Sequence, residues 1–173
     1  MSTEWLSDDQ QRTWRAYLLG TTLLMDRLDR DLRENHSVSA PEYEILVRLS
    51  ESPQQRLRMA ELADSVKNSR SRITHTIARM ERAGLVVRAQ CASDGRGVFA
   101  LLTDAGTRKL VEAAPDHVAA VREFLIDRVA PEDLGALGRV FGAVIDTLET
   151  GEPDPVLSPK SGKSSPVLAS ATA

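Results

Sequence analysis

Between Leu57 and Thr103 the apolar residues keep a helical period and then abandon it, and few folds accommodate that change. Met59, Leu62, Ala63 and Val66 recur at helical spacing, a polar break follows at Lys67 to Ser69, and Ile73, Ile77 and Met80 resume the period. Two helices joined by so short a break make a helix-turn-helix. After Gly84, a natural helix stop, Leu85 to Ala89 and Val98 to Leu102 are β-prone runs separated by the polar residues Ser93, Asp94, Gly95, Arg96 and Gly97. That pattern predicts a hairpin, and the whole stretch predicts a winged helix-turn-helix.

The second of the two helices carries the functional signal. With 100° per residue and Ile73 at the origin, Ile77 and Met80 fall within about 40° of it and form an inward stripe. Ser71, Arg72, His75, Arg79 and Arg82 take the opposite arc, with Arg70 and Thr74 on its flanks. Arginine can bond guanine bidentately in a major groove, and Ser, Thr or His can reach base edges or phosphates. Asn68 or Ser69 suits the N-cap, which leaves the first-turn N–H groups and the positive helix end facing the same way. Arg96, between two glycines at the expected hairpin tip, suits a flanking minor groove. An Arg-rich face can also be merely solvated, but here it coincides with the second helix of a helix-turn-helix and precedes a basic wing.

The run SRSRITHTIARMERAGLVVR, the wing residues Asp94, Gly95 and Arg96, and LTDAG from Leu102 to Gly106 resemble, in order and spacing, the MarR family of bacterial regulators. The likeness is close over Met59 to Gly106 and extends as a helix pattern over Ser7 to Glu149. It implies a mainly α chain with a small β-hairpin wing. The winged helix-turn-helix would occupy 39–103, and a helical dimerisation lobe 7–35 and 104–149. It also implies a homodimeric repressor of double-stranded DNA. Ser69, Arg70, Ser71, Arg72, Thr74, His75 and Arg79 would read the duplex from the recognition helix, and Arg88, Asp94 and Arg96 from the wing. Members of the family often bind phenolic or aromatic carboxylates between the lobes. Trp14, Arg15 and Tyr17 put a cation beside two aromatics within one helical turn, and His36 and Tyr43 are expected at the same cleft.

The flanks read as helices with clear starts. Ser7 with Gln10, and Ser39 with Glu42, are capping boxes. The first opens a helix to about Asn35 whose apolar positions Trp14, Leu18, Met25, Leu28 and Leu32 are widened by Leu19, Leu23 and Leu24. So broad a stripe needs more than one partner. The second opens a helix through Tyr43, Ile45, Leu46 and Leu49. Thr103 can cap a long helix to Val129, which Pro115 is expected to kink or split. Pro131 opens a last helix carrying Leu134, Leu137, Phe141, Val144, Ile145 and Leu148, a second apolar seam that points to a dimer. From Thr150 to Ala173 prolines and small residues predict a disordered or loosely docked arm.

Charge is distributed to match. The net charge is −3, yet Gln54 to Val98 holds nine Lys or Arg against four Asp or Glu, a local +5 that leaves −8 elsewhere. The basic charge sits where phosphates would be met. No apolar run reaches the roughly 20 residues of a membrane span, no secretory start is visible, and one cysteine cannot form an internal disulfide, so a cytoplasmic protein is expected. His36, His75 and His117 lack neighbours at metal-ligand spacing, and no phosphate loop or nucleophile elbow is present, so neither an enzyme nor a metal or other cofactor is expected. Two other readings remain: a redox switch at Cys91 near Arg88, and a winged helix serving as a protein-docking module.

Overall fold

The computed structural model describes residues 3–91 and 94–150; the side chains of residues 91–96 and of Thr150, and the rest of the expected arm, lie outside the described residues. The order is α1 (Asp8–His36), α2 (Ala40–Glu51), a 3-10 turn (Pro53–Gln55), β1 (Arg56–Arg58), α3 (Met59–Ser65), α4 (Arg70–Arg82), β2 (Val86–Cys91), β3 (Asp94–Leu102) and α5 (Asp104–Phe124). A second 3-10 turn (Ile126–Arg128) and α6 (Pro131–Thr150) complete it. Among the described residues no helix is long and apolar enough to cross a membrane.

The helix starts follow from local chemistry. Ser7 and Ser39 both close capping boxes, with Gln10 and Glu42 returning to the cap N–H, and the Thr103 hydroxyl accepts the Gly106 N–H at 3.0 Å. Of the two outcomes expected at Pro115, a kink or a split, the split does not occur: α5 runs through it as one helix. A proline removes one backbone donor, and Leu110, Ala113 and Ala114, buried on the preceding turns, hold the helix in register across it. The same helix ends at Phe124 rather than continuing to Val129, where the 3-10 turn takes over.

Two β features differ from expectation. Arg56 to Arg58 forms a third strand, which pairs antiparallel with β3 on the side away from β2, giving the order β1-β3-β2. Three residues are too short for a period to show in sequence. The hairpin is also longer than its β-prone runs: Cys91 pairs with Asp94, so Arg96 lies within β3 rather than at the tip.

The core is built on α2, α3, α4, the sheet and the start of α5. Leu46, Leu49, Leu62, Ile77, Met80, Ala100 and Leu110 are fully buried in it, together with Leu32 from the end of α1. Gly106 allows α5 to close on this core, since a Cβ there would stand 2.2 Å from the Leu85 carbonyl oxygen. By contrast α1 buries nothing before Leu28, and Leu19, Leu23, Met25, Val140, Val144, Ile145 and Leu148 of α1 and α6 are exposed.

Candidate nucleic-acid interface

The α4 helix begins where Lys67, in left-handed backbone conformation, turns the chain out of α3. Ser69 is the cap, its hydroxyl accepting the Arg72 N–H at 3.3 Å. Ile73, Ile77 and Met80 are buried against the core, which fixes the rotation of the helix. The opposite side then has to face solvent: Arg70, Ser71, Arg72, Thr74, His75, Arg79 and Arg82 are all exposed. The first turn carries no acidic residue, so the positive end of the helix is unopposed there.

Between the start of α4 and the sheet lies a cleft of about 460 Å³ lined by Arg58, Arg70, Thr74, Arg88 and Val98. Three arginines from three elements around one open cleft form a surface for phosphates. Arg88 is fixed there by Glu81, whose carboxylate accepts from its guanidinium at 2.7 Å and from its backbone N–H at 3.1 Å. Those bonds hold the Glu81 carboxyl below the usual range. The guanidiniums of Arg56 and Arg58 lie over the Phe99 ring, 5.0 and 5.4 Å from its centroid. Sequence reasoning missed both, although the pattern Arg-Leu-Arg just ahead of a helix-turn-helix was available as a signal.

Arg79 is exposed but tethered: its Nε donates to Glu42 of α2 at 2.6 Å. Glu42 was legible as a cap and not as a partner of the recognition helix. Cys91, Asp94 and Arg96, expected in the wing, have side chains outside the described residues.

The residues expected to form an effector cleft fall into two groups. Trp14 stacks on Tyr17 at 5.5 Å and Tyr17 meets Phe141 of α6 at the same distance, while Arg15 beside them donates to Gln11 at 3.1 Å and is exposed. His36 lies at the other end of α1, about 33 Å along the axis at 1.5 Å per residue. It is buried, with Nε2 2.9 Å from Asp116 and Nδ1 3.7 Å from Glu112. Tyr43 packs on His117 at 4.6 Å, and burial pushes the Tyr43 hydroxyl up and the His117 imidazole down. The cavity beside His36 and His117 is about 50 Å³, well below the roughly 300–1,000 Å³ of small-molecule sites. Within one chain the two groups do not form a common cleft. The described residues contain no cluster of His, Cys, Asp and Glu able to hold a metal ion.

Comparison with known proteins agrees with this geometry. The MarR family model matches residues 38–98. Sco3205 of Streptomyces coelicolor, a MarR family transcriptional regulator whose crystal structure was solved in complex with DNA, is 44% identical, with a TM-score of 0.84 over 88% of this chain and 96% of that one. AbsC of the same organism, another MarR family transcriptional regulator, is also 44% identical, with a TM-score of 0.81 over 87% of this chain and 100% of that one. The Staphylococcus aureus MepR–DNA complex shares the fold at 14% identity, with a TM-score of 0.70 over 83% of this chain and 99% of that one. A comparison with curated protein sequences finds no match.

Proposed function

The chain belongs to the MarR family, and from that premise we propose that this DNA-binding transcriptional regulator is a homodimeric repressor, released from a pseudo-palindromic operator by a small aromatic acid. The supporting observation is α4: a fully buried apolar stripe holds a cationic, hydroxyl-bearing face outward. Arg70, Arg72, Thr74 and His75 read the major groove, and Ser69, Ser71 and Arg79 set the register on the backbone. The reading unit spans 39–103, with the remaining helices serving dimerisation.

Selection of bound fragments from a random DNA pool tests this directly. A recovered palindrome with half-sites one or more helical turns apart is the expected result. Arg72→Gln should then weaken binding to that fragment and flatten its salt dependence by about one counterion. A chain with no salt-dependent affinity for DNA would be a protein-docking winged helix instead.

Dimerisation is supported by the exposed apolar residues of α1 and α6, which nothing among the described residues covers. Two-fold symmetry would place two copies of α4 about 34–36 Å apart, one turn of the duplex. The effector reading rests on Arg15 beside Trp14, stacked on Tyr17, which in turn meets Phe141. Arg15→Ala should keep operator affinity and abolish release by a panel of hydroxybenzoates; a variant that still releases normally removes the site from this helix.

A further inference from the structure

From sequence Glu42 is only the far half of the Ser39 capping box, yet its carboxylate takes on a second task. Glu42 is 8% exposed. It accepts the Ser39 N–H at 2.8 Å, the Ser39 hydroxyl at 2.7 Å and Arg79 Nε at 2.6 Å. Arg79 reaches it from the last turns of α4, and its side chain remains 54% exposed. A guanidinium carries five N–H donors in a rigid fork, so a bond through Nε leaves the Nη donors free to face outward in one fixed orientation. Burial by itself pushes the Glu42 carboxyl up, but the bonds from Arg79 and Ser39 outweigh it and hold the group below the usual range. The carboxylate is therefore ionised at neutral pH.

A carboxylate next to a phosphate-facing surface subtracts from the general attraction for DNA. Its compensating gain has to be geometric. Resting on the reading of α4 as the recognition helix, we infer that Glu42 is a positioning residue for DNA recognition: it grips Arg79 by Nε so that the Nη groups meet the DNA backbone in a single orientation, which fixes the register of α4. Because the same carboxylate caps α2, the pair also locks the angle between α2 and α4.

The test uses the full chain, an operator fragment recovered by selection and a random duplex of equal length, with affinities measured across salt concentrations. Glu42→Gln preserves shape and a cap acceptor while removing the charge. It should bind the random duplex more tightly, with a salt dependence steeper by up to about one counterion. Its preference for operator over random duplex should fall about tenfold, the order expected for one charge-assisted hydrogen bond. Arg79→Lys keeps the charge but lacks the fork; it should lose the same preference, and the double variant should lose no more than either alone.

If Glu42 were only a cap, Glu42→Gln would raise affinity for both duplexes by one factor and leave the preference intact, which overturns the inference. An Arg79→Lys protein with wild-type preference overturns it equally, and that variant decides the matter should Glu42→Gln fail to fold. Failure of the broader reading looks different: the wild-type chain would then show no salt-dependent affinity for either duplex.

Discussion

Two helices of this chain, α4 and α6, carry the same kind of apolar stripe and meet opposite fates. In α4 the stripe of Ile73, Ile77 and Met80 is buried in the core, and the polar face is what remains outside. In α6 Val140, Val144, Ile145 and Leu148 are exposed, Leu148 at 80%. Period alone reports that a helix has an apolar face, not whether its own chain covers it. Exposed apolar patches on this scale mark an interface, so the difference separates a helix whose stripe the core covers, with Leu32 of α1 and Leu110 of α5 completing it, from one whose stripe is left for the proposed second copy.

The largest expected effect breaks the comparison at α6. Ile145→Glu with Leu148→Glu places charge on the uncovered seam, so sedimentation should show a monomer where the proposal expects a wild-type dimer. Loss of bivalency should lower operator affinity about 10²- to 10⁴-fold. The recognition unit should remain folded by circular dichroism. A variant that stays dimeric would mean that α6 faces solvent rather than a partner.

The next effect sharpens the contrast from the other side. Ile77→Ala empties a fully buried site in α4 and should cost about 2–5 kcal/mol in urea unfolding, independent of protein concentration. Val144→Ala in α6 should leave a dilute monomer nearly unchanged and lower stability only where the dimer forms, because its cost lies in association. Equal costs at both sites and all concentrations would erase the distinction between the two helices.

What could be read from sequence divides along the same line. Caps at Ser7, Ser39 and Thr103 are settled within four residues, and so were visible, as was Ser69 as one of two candidates with Asn68. The inward stripe and outward face of α4 followed from one period and one short turn. The β1 strand was not visible, since its existence depends on Phe99 to Leu101 lying alongside it, far away in the chain. The Glu42–Arg79 bond joins residues whose proximity only the packing of α2 on α4 creates. Within one chain Arg15 stands apart from His36 and Tyr43 for a simpler reason: it lies near the start of α1, and His36 closes the far end of that 29-residue helix.

The smallest effect lies at the seam between the two regions, where His117 of α5 packs on Tyr43 of α2. Burial lowers the His117 imidazole below its ordinary value of 6.5. The unfolded chain therefore takes up a proton at a pH where the folded chain resists it. The stability from the neutral ring is present above that ordinary value and is lost as pH falls toward the lower folded value. The depressed carboxyls of Glu42, Glu81 and Glu112 act in the same direction, but from an ordinary value of 4.5, so a comparison near neutrality separates the imidazole from the carboxyls. Between about pH 7.5 and pH 6 the wild-type Tm should fall by about 2 °C, a fraction of a kcal/mol for a chain of this size. His117→Gln, which cannot take up the proton, should flatten that slope. If both proteins lose stability in parallel, the pH dependence arises elsewhere, and the seam between α2 and α5 tolerates a charged ring as readily as the open faces of α1 and α6 would.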